Sequence, residues 1–342
     1  MKHSRKPTRQ DVTSCYNLLL GREPESQKAV DWHVNTSNTV ADMIAKIVRS
    51  DEFESRFGIF RTGTFMAADK FEVEVESTPE QLSKLLDRTA LTWNELGVDE
   101  PHWSVITDPS FKSESIEANQ DSFYKTGEAE IGRLGALLQR NGLSFSKDAT
   151  CIDFGCGVGR LSLPLSDRVN KVIGVDISNG HLTAARHAAT KYDKPNASFV
   201  KIDAVSDLDN LPSCDLLVTL IVLQHNPPPV MLAILEKLLA RLNPGGVAVF
   251  QVPVYRENYS FSIEEYLAKT RSLDMEMHPL PPSKVFKAVS KAGCAVLEVR
   301  EDLHAYMRDI VSQTFLVQKA AVEKRPSIWS PSYWLSSKTY DE

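Results

Sequence analysis

No uncharged apolar run in the 342 residues is long enough to cross a bilayer, which excludes stable membrane insertion by a helix. Cysteine is scarce: five residues (15, 151, 156, 214 and 294), odd in number, widely spaced and mostly set in apolar runs. That pattern excludes a disulfide framework and a zinc site, so reduced thiols in a core and no metal are expected. An excess of positive charge is also missing. The net charge of −6 argues against a nucleic-acid backbone as partner. The N-terminal "MKHSRKPTRQDVTS" is basic but lacks the apolar core and small-residue cleavage site of a secretion signal, so a cytoplasmic location is expected.

What is present fits about two globular domains. Residues 1–58 read as a small helical domain. "DVTSCYNLLLG" sets Val12, Cys15, Leu18 and Leu19 on one helical face, with Gly21 as the stop, and a second helix restarts after Pro24. "TVADMIAKIVRSDEF" repeats the spacing with Val40, Met43, Ile44 and Ile47. Residues 59–125 read as a helical and loop cap and linker. Its helix "STPEQLSKLLDRTALTWNELG" starts at Ser77 or Thr78 before Pro79, and Trp103 sits in the loop that follows.

Within the domain read over 126–320, apolar strand-like runs alternate with helical segments from Thr150 onward, the pattern of a parallel sheet covered on both faces. The strand runs are "TCIDF", "KVIGVDI", "ASFVKID", "CDLLVTLIV", "GVAVFQVP", "CAVLEVRED" and "QTFLVQK". Only a short segment separates the last two, too short for a crossover helix, so the final strand is expected to run antiparallel. The expected fold is a seven-stranded α/β sheet with a reversed last strand, followed by a tail over 321–342.

The first strand runs into "DFGCGVGR", three glycines within five residues where a strand becomes a helix. In such sheets ligands bind beyond the carboxyl ends of the strands. Glycines there let a ligand lie on bare backbone, and the next helix start offers amide N–H groups. Asp153 at the entrance would repel a diphosphate and suit a cation. Asp176 ends the second strand, placed to accept hydrogen bonds from ribose hydroxyls.

With "CIDFGCGVGR", "VIGVDIS", "FVKIDAV" and "LLARLNPGGVAVFQVP", the chain resembles the class I S-adenosylmethionine-dependent methyltransferases over about residues 126–320. The resemblance implies S-adenosylmethionine as cofactor. It implies contacts from Asp153, Gly155, Cys156, Gly157, Gly159 and Arg160 in the bend, and from Asp176 and Ile177 at the ribose. Asp203 and Ala204 would border the adenine, the backbone around Leu220 and Ile221 would face the methionine end, and Gln224 would be a further cofactor contact. "LLLGREPES" and "VRSDEFESRF" resemble a short helical domain that bacteria attach to surface-polysaccharide enzymes, which implies docking or self-association without chemistry. "TWNELGVDEPHWSVIT" and "DSFYKTGEAEIGRL" resemble segments found before the catalytic domain of glycan-associated bacterial methyltransferases. Tyr124 would then close over the cofactor and Trp103 would shape the acceptor pocket.

A hydroxyl acceptor needs a base, and histidine titrates in the useful range. The loops after the strands offer His225 first and His278 second, with Tyr255, Tyr259 and His304 as substrate contacts; His181 and His187 are expected to be solvated. "NPP" at 226–228 departs from the Asn-Pro-Pro-aromatic motif of amino methyltransferases, because Pro229 replaces the aromatic and the motif lies beyond the strand end. The leading expectation is O-methylation of a carbohydrate or glycan intermediate. A small-metabolite or lipid-like acceptor, or an inactive cofactor-binding scaffold, stands as the alternative. Asp153 and the glycine spacing disfavour a nucleotide-dependent dehydrogenase.

Overall fold

The computed structural model describes residues 5–48, 50, 52–53, 71–270, 274–302, 305 and 309–321. The chain divides into two compact units, Met1–Ala68 and Asp69–Glu342. His304, residues 54–70 and the tail from 322 onward lie outside the described residues. Among those described, no helix is long and apolar enough to cross a membrane.

The first unit contains α1 (Arg9–Cys15), α2 (Gln27–Thr36) and α3 (Val40–Val48). Thr8 caps α1 in a reciprocal box with Asp11, satisfying two otherwise orphaned amides. Val12, Tyr16, Leu20, Val30, Met43 and Ile47 form its core. Leu18 departs from the expected buried face and is 81% exposed. The chain passes into a π-helical turn over Tyr16–Leu20, whose wider winding advances the register, and Leu20 takes the buried place.

In the second unit, α4 (Pro79–Asp99) begins at Thr78, which makes a capping box with Gln81 ahead of Pro79. α5 (Ile116–Arg140) follows, with Phe123, Ile131, Leu134 and Leu138 along its buried stripe. Next come β1 (Thr150–Phe154), α6 (Ser162–Ser166), β2 (Lys171–Asp176), α7 (Asn179–Lys191), β3 (Ala197–Lys201) and β4 (Cys214–Thr219). The unit ends with α8 (Pro228–Ala240), β5 (Leu242–Arg256), α9 (Ile263–Ala268), α10 (Pro282–Lys291), β6 (Cys294–Asp302) and β7 (Ile310–Lys319).

These strands form one seven-stranded sheet in the order β3-β2-β1-β4-β5-β7-β6. β1 to β5 pair in parallel, and β7 runs antiparallel between β5 and β6, as the short connection requires. Residue alternation splits the core: Ile152, Ile173, Leu217 and Phe250 face one side, Cys151, Val172, Leu216 and Val249 the other. The order reverses between β1 and β4, which opens a crevice at their carboxyl ends.

α4 reaches this crevice through a close approach to α7. A side chain on Gly180 would lie 2.2 Å from the Gly97 carbonyl oxygen, so the two helix backbones touch there. Residues ahead of α4 are tied to the segment before α9, with Glu74 N donating to Phe261 O at 2.9 Å.

Candidate active site

β1 delivers Asp153 to the crevice, and the chain then bends through Gly155 and Gly157 at φ +72° and +52°. Both lie in the left-handed region, where a side chain is strained. A Cβ on Gly155 would stand 2.3 Å from a Val222 methyl, and one on Gly157 would stand 2.7 Å from Val105. The bend is therefore bare backbone facing two small apolar side chains. It is anchored to β2 by Gly155 N and Cys156 N, which donate to Val175 O at 2.7 and 3.1 Å.

Two carboxylates flank the bend. Asp153 is 2% exposed and accepts from the Ser162 hydroxyl at 2.6 Å. Burial pushes its carboxyl up to about 6, against the opposing pull of Ser162 and Arg160. Asp176 accepts from Gly157 N at 2.8 Å on one oxygen and from Ser178 N at 2.9 Å on the other. Each oxygen keeps a second lone pair for a ligand hydroxyl.

The cavity above the bend is lined by Asp153, Gly155, Cys156, Gly157, Arg160, Asp176, Ile177, Leu220 and His225 among the expected residues. The others lie elsewhere. Gly159 turns behind the bend toward Ala185 and Phe199. Tyr124 is buried in an aromatic cluster and braces the bend from outside, its hydroxyl donating to Val158 O at 3.0 Å. Asp203 points to solvent and pairs with Lys201; with Ala204 it is held by backbone donation to Asp207, so neither borders the cavity. Ile202, one residue earlier, does. Trp103 is half-buried away from the wall, and Tyr255 and Tyr259 pack against Phe71.

Trp93 supplies the aromatic wall that Trp103 does not. It comes from α4 with Leu86 and Thr89, at helical spacing on the inward face. His181 is a second correction: it is 1% exposed rather than solvated, and it lines the cavity. Its Nε2 lies 2.8 Å from the Ser104 hydroxyl, because the approach of α4 and the following turn covers the start of α7.

His225 stands edge-on to Trp93 at 5.2 Å between ring centres. The Glu276 carbonyl, 2.9 Å from Nδ1, can only accept, so Nδ1 carries the proton and Nε2 accepts from the Gln224 amide at 3.2 Å. Burial pulls the imidazole down to about 4, so it is neutral at pH 7. His278 is off the wall: its Nδ1 lies 2.7 Å from the Tyr259 hydroxyl and its Nε2 3.0 Å from Glu276.

Gln224 is also withdrawn, in a buried amide network. Gln251 Nε2 donates to Gln224 Oε1 at 2.9 Å and to the Ser312 hydroxyl at 2.5 Å, while its oxygen accepts from Ile221 N at 3.0 Å. Ile221 has φ +61°, a costly conformation for a β-branched residue, and it lines the cavity beside Leu220 and Val222.

Bare backbone, two carboxylates and a low-polarity wall fit a cationic nucleoside better than a diphosphate. Residues 151–246 match the family model for a methyltransferase domain. The chain is 43% identical over 61 residues to 23S rRNA (uracil(1939)-C(5))-methyltransferase RlmD of Marinomonas posidonica, a match covering 18% of this chain and 14% of that protein. It is 25% identical over 202 residues to carboxy-S-adenosyl-L-methionine synthase of Trichlorobacter lovleyi, covering 57% and 72%. It is 32% identical over 119 residues to ubiquinone biosynthesis O-methyltransferase of Idiomarina loihiensis, covering 34% and 47%. The chain thus spans less than half the length of the first and third of these relatives. Magnesium protoporphyrin IX methyltransferase from Synechocystis PCC 6803 is similar in structure, with a TM-score of 0.48, 19% identity and coverage of 70% of this chain and all of that one. Residues 151–246 of the chain thus carry a methyltransferase domain.

Proposed function

We propose that the chain transfers a methyl group from S-adenosylmethionine to a hydroxyl of a small-molecule acceptor, a carbohydrate or glycan intermediate in the finer reading. The observation that carries this is the bare bend at Gly155 and Gly157 between Asp153 and Asp176, opening on a wall of Trp93 and His225. When bound, the cofactor supplies a methyl on a cationic sulfur whose leaving group is neutral. The residues then have three tasks. Asp176 holds the ribose hydroxyls, Asp153 offers negative charge to the cationic end, and Ile177 and Ile202 border the base. Leu86, Val105, Leu220 and Val222 exclude water, and Trp93 with His225 aligns the acceptor.

An indole face suits the apolar face of a sugar ring. A lipid-like metabolite is the second reading, favoured by the apolar wall of Leu86, Ile221 and Val222. Free thiols, three of them buried, support a reducing cytoplasmic setting. The helical unit at 1–58 is assigned to docking or self-association. The test is a labelled-methyl assay against sugar nucleotides, lipid-linked glycans and the small-molecule fraction of a cell extract. Label in a small molecule supports the reading; label confined to macromolecules, or none, rejects it.

A further inference from the structure

A second, smaller cavity opens beside the cofactor cavity and shares Thr89, Trp93 and His225 with it. Its far side is made by Arg88, Tyr266 and Glu276, with Asp274 at the rim. With about 20 Å³ of free volume it has room for an acceptor's reacting hydroxyl, the body of the acceptor lying outside it. Assigning this cavity to the acceptor rests on the methyl-transfer reading.

The charges there are unequal in availability. Arg88 donates to the carbonyls of Tyr266 and Lys269 at 2.7 and 2.9 Å and lies over the Tyr266 ring at 4.6 Å. Its charge is directed to the carbonyl end of α9, which it neutralises. Glu276 is 30% exposed at its side chain and is held by two donors, the Tyr266 hydroxyl at 2.5 Å and His278 Nε2 at 3.0 Å. Because a carboxylate only accepts, His278 is the Nε2–H tautomer here, and Tyr259 donates to its other nitrogen. His278, with its side chain 8% exposed, therefore stands behind Glu276 and fixes it. The titratable groups around this carboxylate are His278, Tyr266, Tyr259 and Arg88, with Asp274 and His225 on the same cavity wall. Burial pushes the Glu276 carboxyl up, but the bonds from His278 and Tyr266 outweigh it and leave it below its usual 4.5, hence ionised.

We propose that Glu276 is the group that takes the acceptor's proton, in a subsite built for a neutral, hydroxyl-bearing acceptor. A phosphate or carboxylate in this space would meet Glu276 directly. An amine would be held there as its ammonium, with no lone pair to react. A hydroxyl donates its hydrogen to the carboxylate and keeps its lone pairs. In the transfer the acceptor oxygen bonds to the methyl carbon as the sulfur–carbon pair leaves with the thioether. The O–H bond gives up its proton to Glu276, which ends neutral and later releases it to solvent. Glu276 touches the acceptor; His278 and Tyr266 are positioning residues.

The test has two arms, both on the full chain. In the first, the cofactor-loaded protein is offered methyl glycosides of glucose, galactose and mannose and 4-methylcatechol, beside the corresponding sugar 1-phosphates, catechol monophosphate and glucosamine. Label in a neutral member, matched by its saturation-transfer NMR signal with the S-adenosylhomocysteine-loaded protein, is expected. Label only in phosphorylated or amine members, or in none, overturns the acceptor class even if extract material is still methylated, which would leave the parent reading standing.

In the second arm, Glu276→Gln should keep cofactor affinity within about twofold and lower transfer about 100-fold, within the range of general-base effects. Read as single-turnover transfer at saturating cofactor, so that ionisation of Asp153 does not limit binding, the variant should also lose the wild-type fall of the rate at acid pH. An unchanged rate or an unchanged acid limb overturns the role of Glu276. Tyr266→Phe gives an independent check if Glu276→Gln does not fold. Losing one donor should move the acid limb to higher pH, and an unmoved limb overturns the proposal as well.

Discussion

Asp153 carries a burial cost that Ser162 and Arg160 offset only in part and that the cofactor would relieve. Its carboxyl is held near 6 in the fold against an ordinary 3.8, so the folded chain binds a proton more tightly than the unfolded chain between those values. Stability should therefore fall as pH rises from about 4 to 6, by up to roughly 3 kcal/mol, the reverse of a salt-bridged carboxylate. Urea melts at pH 5 and 7 without cofactor check this, and Asp153→Asn should flatten the difference. Cofactor affinity should run the other way, rising from pH 5 to 7 as the carboxylate ionises; titration calorimetry that finds no such rise removes Asp153 from cation binding. Both flanking acids were legible because each sits at the carboxyl end of a strand, Asp153 leading into the bend and Asp176 closing β2. Asp203 misled because an acid after a strand looks alike whether it turns inward or, as here, pairs with Lys201 in solvent. Trp93, His181 and Glu276 were not legible as site residues, since they meet only through the docking of α4 and of the 274–276 segment. The helical spacing of Leu86, Thr89 and Trp93 announced an inward face without saying what it faces.

The elements around the site are held by backbone-level devices, and each makes a prediction. Thr78→Ala removes the α4 cap and should lower stability by about 1 kcal/mol, read from chemical melts. Gly157→Ala places a methyl against Val105 in a left-handed bend and should cost about 1–2 kcal/mol while weakening cofactor binding; unchanged binding would mean the bend is not the ligand's bed. Gln251→Leu leaves Ile221 N and Ser312 without their partner in a buried network and should destabilise by about 1–3 kcal/mol. The strand order and reversed last strand were legible because alternation and connection length determine them. The left-handed Ile221 was not, because no local signal marks a β-branched residue in that region; Gln251, thirty residues on in sequence, holds it there.

At the scale of the whole chain, each compact unit has a core of its own, one around Met43 and Ile47, the other around the sheet. Scanning calorimetry on the full chain should accordingly show two transitions, with S-adenosylmethionine raising only the one that belongs to the sheet unit. A single transition that shifts as a whole would show the helical unit to be thermodynamically part of the enzyme. The most direct measurement of the central claim is calorimetric titration of the full chain with S-adenosylmethionine, wild type beside Asp176→Ala. One-to-one binding, weakened by about 3 kcal/mol or roughly 100-fold in the variant, is the expected result. Equal affinity in the two proteins, or no binding at millimolar ligand, would contradict the assignment of the glycine bend as the cofactor's seat.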